Sequence, residues 1–352
     1  MKLAIAGCGR IASVHYEAIE KLIAEYNYEI TLSALIDISE INARNFQKKH
    51  QLSLKIFTSY DDALKQAEFD SILICAPHLF HESLAVQSFD NNKHVLLEKP
   101  MAHTLDSASK IIQRSKSSEG VFMIAENSQY WPEVNYINEL LKEQTIGEII
   151  TARATFRQSS SSDIFDSYNL LAGDQLDKAW RFDRKSSGGG ITIDGGAHWI
   201  RPLRIWCGDV FKTTAKFGYP HPEMEGESLS QAIFEFNNQV TGIFEGILTE
   251  KTIFSPEPPF RITGSDGELV LGKGGFGVYL FNQNFPEGKK VLEDHGYLSS
   301  FYHQFDDFYQ CVKKPGRDPS ANAEFSIGEM KTALAMEKSD LEGQWIEINS
   351  YE

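Results

Sequence analysis

Positive charge is scarce in this sequence. Its 352 residues include 34 lysines and arginines against 49 aspartates and glutamates, a formal net charge of −15, and no stretch is densely basic. Because a nucleic-acid-binding surface needs a basic patch to meet phosphates, we exclude nucleic acid as a partner. Long apolar runs are also missing, and the one at the start is too short for the core of a signal peptide, so we expect no membrane span and no export.

Cysteine is scarce as well. The four cysteines, Cys8, Cys75, Cys207 and Cys311, are widely scattered and contain no C-x-x-C pair. This usage favours a reducing compartment over a disulfide framework. We therefore expect a cytoplasmic protein.

The first part of the chain alternates strand-like and helix-like segments. Strand candidates are residues 2–6, 31–37, 71–76, 94–100 and 121–127, and helix candidates are residues 12–25, 41–50, 81–92 and 106–116. This alternation predicts an α/β Rossmann domain, with a doubly wound parallel sheet covered on both faces. The chain exceeds the usual size of a single core, so we expect this domain to span residues 1–124 and a second one to span 125–352.

The pattern changes in the second part of the chain. Strand candidates follow one another at 148–158, 229–236, 240–248, 260–264, 268–271 and 278–281, between a helix at 133–144 and two closing helices at 301–312 and 326–341. Several strands alternate apolar and polar residues, as antiparallel strands with one solvated or partner-covered face do. We expect an α+β domain with a large open, mostly antiparallel sheet, and closing helices that can pack back on the first domain.

A glycine-rich loop, Gly7-Cys-Gly-Arg-Ile-Ala12, joins the first strand to the first helix. In this context Gly7 permits a tight turn, Gly9 lets backbone N–H groups approach a pyrophosphate, and Ala12 lets the helix pack on the sheet. Asp37, at the end of the next strand, is placed to accept hydrogen bonds from ribose hydroxyls and to repel a 2′-phosphate. The sequence therefore predicts a dinucleotide site that prefers NAD over NADP.

A second stretch, residues 272–277, fits the G-x-G-x-x-G pattern letter for letter. It lies between two strand-like runs and opens no helix. We therefore interpret it as a hairpin turn.

Six segments together resemble the glucose–fructose oxidoreductase/inositol dehydrogenase/MocA family. They are GCGRIASVH (7–15), APHxxH (76–81), HVLLEKP (94–100), AENSQYWPEV (125–134), WRFDRKSSGGGITIDGGAH (180–198) and EKSDLEGQWIEI (337–348). The resemblance covers nearly the whole chain and implies a Rossmann domain, an open sheet used for contacts in a homodimer or homotetramer, and NAD(P)-dependent oxidation of sugars or polyols.

The resemblance also implies roles for individual residues. Lys99, Asp194 and His198 would gather at the nicotinamide as catalytic residues. Cofactor contacts would come from Gly7, Gly9, Arg10, Ile11, Asp37, Ala76, Pro77, His78, His81, Glu98 and Lys99. Substrate contacts would come from Asn127, Trp131, Trp180, Arg181, Asp194, His198 and Arg201. The spacing of His78 and His81 also fits a metal site, but no matching carboxylate or cysteine set accompanies them, so contacts on the nicotinamide side or simple packing are favoured.

Oxidation of an alcohol needs a base and a positive charge beside the oxygen that loses its proton. Lys99 can stabilise that oxygen and His198 can accept the proton, since imidazoles titrate near neutral pH. If residues 194–198 are helical, Asp194 shares a face with His198 and can orient its ring or hold a substrate hydroxyl. The glycines at 188–190 and 195–196 would let the backbone approach the sugar and the nicotinamide.

One position departs from the family pattern. Family members often carry an aspartate three residues after the histidine, where this chain has Arg201 followed by Pro202. We hypothesise that Arg201 pairs with an anionic group of the substrate. We also expect Pro202 to kink or restart the helix.

Three functions remain open at this stage. The first is an NAD-dependent sugar or polyol dehydrogenase. The second keeps NAD tightly bound for a transient oxidation that ends in glycoside hydrolysis, epimerisation or sugar dismutation. The third is a non-catalytic NAD-binding regulator, which would be expected to lose Lys99 or His198.

Overall fold

The computed structural model describes residues 1–160, 180–251, 257–272, 277–296 and 298–348. These residues divide into two compact units. The first contains Met1–Glu126, the described residues of Asp163–Gly188, and Phe301–Ile327. The second contains the described residues of Asn127–Ser162, Gly189–Ser300 and Gly328–Glu352. The chain therefore enters each unit more than once.

The first unit is built on a six-stranded sheet in the order β3-β2-β1-β4-β5-β6. Every neighbouring pair is parallel, which confirms the predicted doubly wound fold. The strands are β1 (Lys2–Ala6), β2 (Thr31–Ile36), β3 (Lys55–Phe57), β4 (Ser71–Ile74), β5 (His94–Glu98) and β6 (Phe122–Ala125). The order reverses between β1 and β4, and ligands of such sheets bind at the carboxyl ends of the strands flanking that point.

Helices connect these strands. They are α1 (Arg10–Tyr26), α2 (Glu40–Lys49), α3 (Tyr60–Gln66), α4 (His81–Asp90) and α5 (Leu105–Ser115). The sequence analysis missed β3 and α3. It also extended four strands, β2, β4, β5 and β6, by one or two residues at the carboxyl end, because the residues that follow each strand belong to the loops at that edge.

The second unit contains a nine-stranded sheet in the order β14-β13-β12-β11-β7-β10-β9-β8-β15. Among the described strands of this sheet only β7 and β10 pair in parallel, so the prediction of a mostly antiparallel sheet is confirmed. The strands are β7 (Ile149–Ser159), β8 (Val210–Gly218), β9 (Leu229–Phe236), β10 (Thr241–Thr249), β11 (Phe260–Gly264), β12 (Gly267–Leu271), β13 (Val278–Asn282), β14 (Phe285–Leu292) and β15 (Ile346–Glu347). The sequence analysis missed β8, β14 and β15.

The remaining helices are α6 (Pro132–Lys142), α7 (Arg184–Ser187), α8 (Ile191–Asp194), α9 (Ala197–Cys207), α10 (Leu298–Lys313) and α11 (Ala323–Glu342). One face of the nine-stranded sheet carries buried rings, among them Phe234 and Phe244, which stack with centroids 5.9 Å apart. Phe260 packs edge-on against Trp199 and Trp206 of α9. This aromatic core holds α9 on the sheet.

The second glycine-rich stretch connects two antiparallel strands. Leu271 of β12 pairs with Val278 of β13, and the N–H of Gly272 donates to the carbonyl oxygen of Gly277 at 2.9 Å. The hairpin is thus confirmed. The tip of the predicted turn, residues 273–276, lies outside the described residues.

Candidate active site

The loop after β1 leaves open space at the start of α1. Gly7 has a φ of +89°, and a Cβ there would lie 2.6–2.7 Å from the peptide between Cys75 and Ala76. Around Gly9, by contrast, no atom of the described residues outside its own chain neighbours lies within 4 Å of the position of a Cβ. Gly9 caps α1 without a side-chain hydrogen bond and no acidic residue occupies the first turn. This uncapped helix N-terminus fits the pyrophosphate of a dinucleotide.

Asp37 fixes the same loop from the end of β2. One carboxylate oxygen accepts the N–H of Cys8 at 2.8 Å and the other accepts the N–H of Ser39 at 2.8 Å. Burial raises the pKa of Asp37, although these two hydrogen bonds oppose the shift. Each oxygen has a second lone pair, so the carboxylate can still accept ribose hydroxyls.

The two histidines of the turn after β4 make protein contacts. The ring nitrogens of His81 lie 3.0 Å from the carbonyl oxygen of Pro100 and 2.8 Å from that of Ala76. Burial lowers the pKa of His81. Nδ1 of His78 lies 2.9 Å from the carbonyl oxygen of Ser187. Of the roles left open for these rings, packing fits the geometry best.

The lysine of the EKP segment follows directly after β5. Lys99 is half-buried. Its main-chain N–H donates to Oε2 of Glu98 at 3.1 Å. Oε1 of Glu98 lies 2.7 Å from Nε2 of His15, and both of these side chains are buried. Glu98 is thus held inside the protein between α1 and the main chain of Lys99. Both carboxylate oxygens therefore have protein partners, and the cofactor contact expected of Glu98 stays a prediction.

Residues 180–188 belong to the first unit, although the sequence analysis placed them in the second domain. The Trp180 ring meets that of His78 edge-on with centroids 4.6 Å apart, and the guanidinium of Arg181 lies 4.5 Å from the centre of Trp180. A Cβ at Gly188 would overlap the main chain of His103. Trp180 and Arg181 therefore lie with the loops that follow β4 and β5.

Asp194 and His198, both half-buried, belong to two different helices of the second unit. Asp194 ends α8, and His198 lies in the first turn of α9. Between them the N–H of Gly196 donates to the carbonyl of Ile191 at 2.8 Å, five residues back, so the regular helical ladder is interrupted. The condition under which Asp194 and His198 would share one helical face is therefore not met, because the glycine pair at 195–196 separates the two helices.

The other glycines of this stretch also have protein neighbours. A Cβ at Gly190 would overlap the carbonyl and carboxylate of Glu227, and one at Gly196 would overlap the main chain of Thr192. At Gly195 the nearest side chain is Phe156, at 3.5 Å. Close packing of the protein itself accounts for Gly190 and Gly196, which corrects the expectation that they admit a ligand. At Gly195 the contacts are ordinary van der Waals contacts, so the approach of a ligand there stays a prediction.

Arg201 has no place for a substrate anion. Its side chain is fully buried, and it donates to Oε2 of Glu329 at 2.9 Å and to Gln129 at 3.0 Å. Arg204, one turn further along α9, binds the other oxygen of Glu329. The hypothesis of an anionic substrate partner is therefore wrong: Glu329 already balances the charge. Pro202 lies within α9, which continues to Cys207, so it does not restart the helix.

Two further candidates lie near the start of the second unit. Asn127 is buried and donates to Oγ of Ser300 at 3.1 Å. Trp131 is half-buried and packs edge-on against Trp199 with centroids 5.3 Å apart. The buried indole N–H groups of both tryptophans have no acceptor among the described residues.

The sequence analysis missed three buried polar residues that hold these segments in place. They are His15, which contacts Glu98, and the carboxylates of Glu227 and Glu329. Only His15 had a signal, since it ends the GCGRIASVH segment. Within the described ranges, no three histidine, cysteine or carboxylate side chains lie close enough to hold a metal ion. No helix of the described part of the chain is long and apolar enough to cross a membrane.

A parallel sheet with an open, uncapped helix N-terminus at its switch point is the architecture of a nucleotide-binding Rossmann domain. Residues 1–126 match the oxidoreductase family with an NAD-binding Rossmann fold, and residues 134–270 match the GFO/IDH/MocA C-terminal domain. The chain belongs to the GFO/IDH/MocA family. It is an NAD(P)-dependent dehydrogenase of the kind that acts on CH–OH groups.

The relatives agree in class but differ in substrate. The chain is 24% identical to trans-1,2-dihydrobenzene-1,2-diol dehydrogenase of Xenopus tropicalis, over 77% of this chain and 74% of the relative. It is 26% identical to scyllo-inositol 2-dehydrogenase (NADP(+)) of Bacillus subtilis, over 69% of each chain. The structure of levoglucosan dehydrogenase in complex with NADH and levoglucosan superposes with a TM-score of 0.85 at 17% identity, covering 99% of both chains, a likeness of fold.

Proposed function

We propose that this protein oxidises a secondary hydroxyl of a sugar, a sugar derivative or a polyol by hydride transfer to NAD. One observation carries the proposal. At the carboxyl edge of the parallel sheet, an uncapped helix N-terminus opens at Gly9, and a half-buried amine, Lys99, follows β5 at the same edge. The names of the relatives, which include dehydrogenases of inositol, levoglucosan and a diol, support a substrate with several hydroxyl groups.

In the proposed mechanism the residues of the chain stabilise the negative charge on the reacting oxygen and accept the hydroxyl proton. NAD, when bound, supplies the hydride acceptor. The ammonium group of Lys99 hydrogen-bonds the reacting hydroxyl oxygen and stabilises its negative charge as the proton leaves. His198 takes that proton. The carbon loses its hydride, the oxygen loses its proton, and a carbonyl group remains. Asp194 orients the His198 ring or holds a neighbouring hydroxyl.

A substrate panel tests this function. Myo-inositol, scyllo-inositol, levoglucosan, glucuronate and glucose 6-phosphate are each incubated with NAD, and NADH absorbance is recorded. We expect Lys99→Ala to lower kcat at least about a hundredfold. Lys110→Ala, which removes an exposed lysine paired with Asp106, should leave the rate unchanged. Full activity of the Lys99 variant would refute the site.

The same panel separates the leading function from its alternative. A dehydrogenase releases NADH, so the amount of NADH formed exceeds the amount of enzyme. A protein that uses tightly bound NAD for a transient oxidation forms product without net NADH. Product analysis of each reaction mixture distinguishes the two outcomes.

We also propose that NAD is preferred over NADP. The support is the Asp37 carboxylate, which stands at the end of β2 and holds the glycine-rich loop through Cys8. A negative charge there accepts the adenosine ribose hydroxyls and repels a 2′-phosphate. One relative is named as an NADP(+) enzyme and one similar structure contains NADH. The cofactor preference has to be measured on this chain.

The outer face of the nine-stranded sheet supports a homo-oligomer. Ile233 and Ile243 face each other across β9 and β10, and their exposures are 42% and 47%. Both charge signs lie beside them, as in the pair of Arg157 and Glu245, so two copies of this face can complement each other. We propose a homodimer or homotetramer formed through this face. Ile243→Lys should lower the mass found by light scattering, whereas Ile41→Lys, at an exposed position of α2, should not.

A reducing compartment fits the cysteines. All four are free, and burial raises the pKa of the Cys207 thiol to about 12, which keeps it unreactive. We therefore retain the cytoplasm as the proposed location.

A further inference from the structure

One buried carboxylate holds the start of the helix that ends in Asp194. Glu227 lies in the loop between β8 and β9 and is 4% exposed. Its Oε1 accepts the N–H of Thr192 at 3.0 Å, and its carbonyl oxygen accepts the N–H of Ile191 at 2.9 Å. Gly190, the residue that precedes the helix, has no side chain that could accept a hydrogen bond from these N–H groups. Glu227 therefore caps α8 from a distant part of the chain.

Glycines bring the two segments into direct contact. A Cβ at Gly190 would overlap the carbonyl and the carboxylate of Glu227, and a Cβ at Gly226 would overlap the backbone of Gly189 and Gly190. The loop and the start of α8 are therefore packed too closely for a side chain at either glycine. Burial raises the pKa of the Glu227 carboxyl, and the hydrogen bonds from Thr192 oppose the shift.

Helix α8 has four residues, Ile191–Asp194. A single turn of helix is unstable by itself, because the cost of ordering it exceeds the return from its few hydrogen bonds. Its direction must come from contacts outside the helix. The hydrogen bonds to Glu227 supply them at one end, and Asp194 stands at the other.

We propose that Glu227 is a positioning residue for Asp194: by capping α8 it sets where the Asp194 carboxylate points. The inference rests on the proposed function, in which Asp194 orients His198 or holds a substrate hydroxyl. Glu227 itself touches no reacting atom. Its effect on catalysis passes through Asp194, which makes the proposal testable by coupling between the two positions.

Two substitutions at Glu227 separate the hydrogen bond of its side chain from its charge. Glu227→Gln keeps the length of the side chain and an oxygen that can accept from Thr192. Glu227→Asp keeps the charge but is one methylene shorter, so its oxygen no longer reaches that N–H. Glu223→Asp, at an exposed position of the same loop, is the matched control. Both replacement side chains are polar and no larger than that of glutamate, so we expect each variant to fold.

The assay combines these variants with Asp194→Asn. With NAD and the panel sugar that the wild type oxidises fastest, we expect Glu227→Asp to lower kcat at least about tenfold, with an unchanged Kd for NAD, and Glu227→Gln to stay within about twofold of the wild type. In the Asp194→Asn background, Glu227→Asp should lower kcat by less than about twofold more. Hydrogen exchange of the Thr192 amide, which donates to the Glu227 side chain, should be faster in Glu227→Asp than in the Glu223→Asp control.

Each contrary result has its own meaning. If the effect of Glu227→Asp is as large in the Asp194→Asn background as in the wild type, Glu227 does not act through Asp194 and the proposal is overturned. Unchanged amide exchange overturns it as well. If Asp194→Asn alone leaves kcat unchanged, the role of Asp194 in the proposed function fails first, and the proposal fails with it.

Discussion

Glu329 is the shared partner of two buried guanidinium groups, and its substitution should strongly destabilise the second unit. In Glu329→Gln, Arg204 keeps Asp209 as a charged partner at 3.0 Å from its Nε. Arg201 is fully buried and loses its carboxylate partner, while the neutral amide of Gln129 remains among its hydrogen-bonded contacts. Removing one partner of a buried ion pair costs about 3–5 kcal/mol, since the charge left behind has lost its solvation in water. We expect a loss of that size in the free energy of unfolding.

The control for this prediction lies on the same helix. Glu342 forms an ion pair with Lys338 at 4.0 Å, and both side chains are more than 40% exposed. Pairs of this kind contribute about 0–1 kcal/mol, so Glu342→Gln should cost under about 1 kcal/mol. Urea denaturation followed by tryptophan fluorescence measures both variants, because four of the five tryptophans lie in the second unit. Equal midpoints for the two variants would refute the reasoning.

Arg201→Met separates the structural role of this residue from the earlier substrate hypothesis. The variant removes the charge together with its need for a partner, and Glu329 keeps Arg204. The loss of stability should therefore be smaller than in Glu329→Gln. Rates with glucuronate and myo-inositol should change by the same factor, and a selective loss with glucuronate would restore a role in substrate binding.

Three other substitutions test single statements about the first unit. Gly9→Ala should weaken NAD binding at least about tenfold, measured by fluorescence titration, without a change in the urea midpoint, because the added methyl group meets the ligand and not the protein; a shifted midpoint with normal binding would contradict this. Asp37→Asn should raise the ratio of kcat/KM with NADP to that with NAD at least about tenfold, and a constant ratio would remove Asp37 from cofactor choice. Glu98→Ala should lower kcat at least about tenfold more than Glu98→Gln, which keeps a side chain that can bond to His15; equal rates would show that the buried pair does not position the lysine beside it.

The elements that the sequence predicts well are those with a strong local pattern. Leu3–Ala6 and Ser71–Ile74 are uninterrupted buried runs, as expected for strands covered on both faces. Residues 55–57 form a strand of three, too short for any periodicity to show. The sequence FPEGKKVL of β14 contains no buried residue and pairs along one side with β13, so it carries almost no apolar signal.

Partnerships between buried side chains could not be predicted. His15 and Glu98 are 83 residues apart in the chain, and Arg201 and Glu329 are 128 apart. A charged residue in a sequence has the same appearance whether it faces water or a distant partner. The prediction for Arg201 failed for this reason: an arginine beside a candidate site was assigned to the ligand, although a carboxylate from a later helix already binds it.

The glycines show most clearly where sequence reasoning stops. A glycine indicates that something lies where a Cβ would be, and the sequence does not say what that something is. At Gly190 it is the Glu227 carboxylate, and at Gly7 it is the Cys75–Ala76 peptide. At Gly9 the described residues leave the space empty, so neither packing nor a left-handed backbone requires a glycine there. An unexplained glycine at an uncapped helix N-terminus is therefore a stronger argument for a bound pyrophosphate than the motif that contains it.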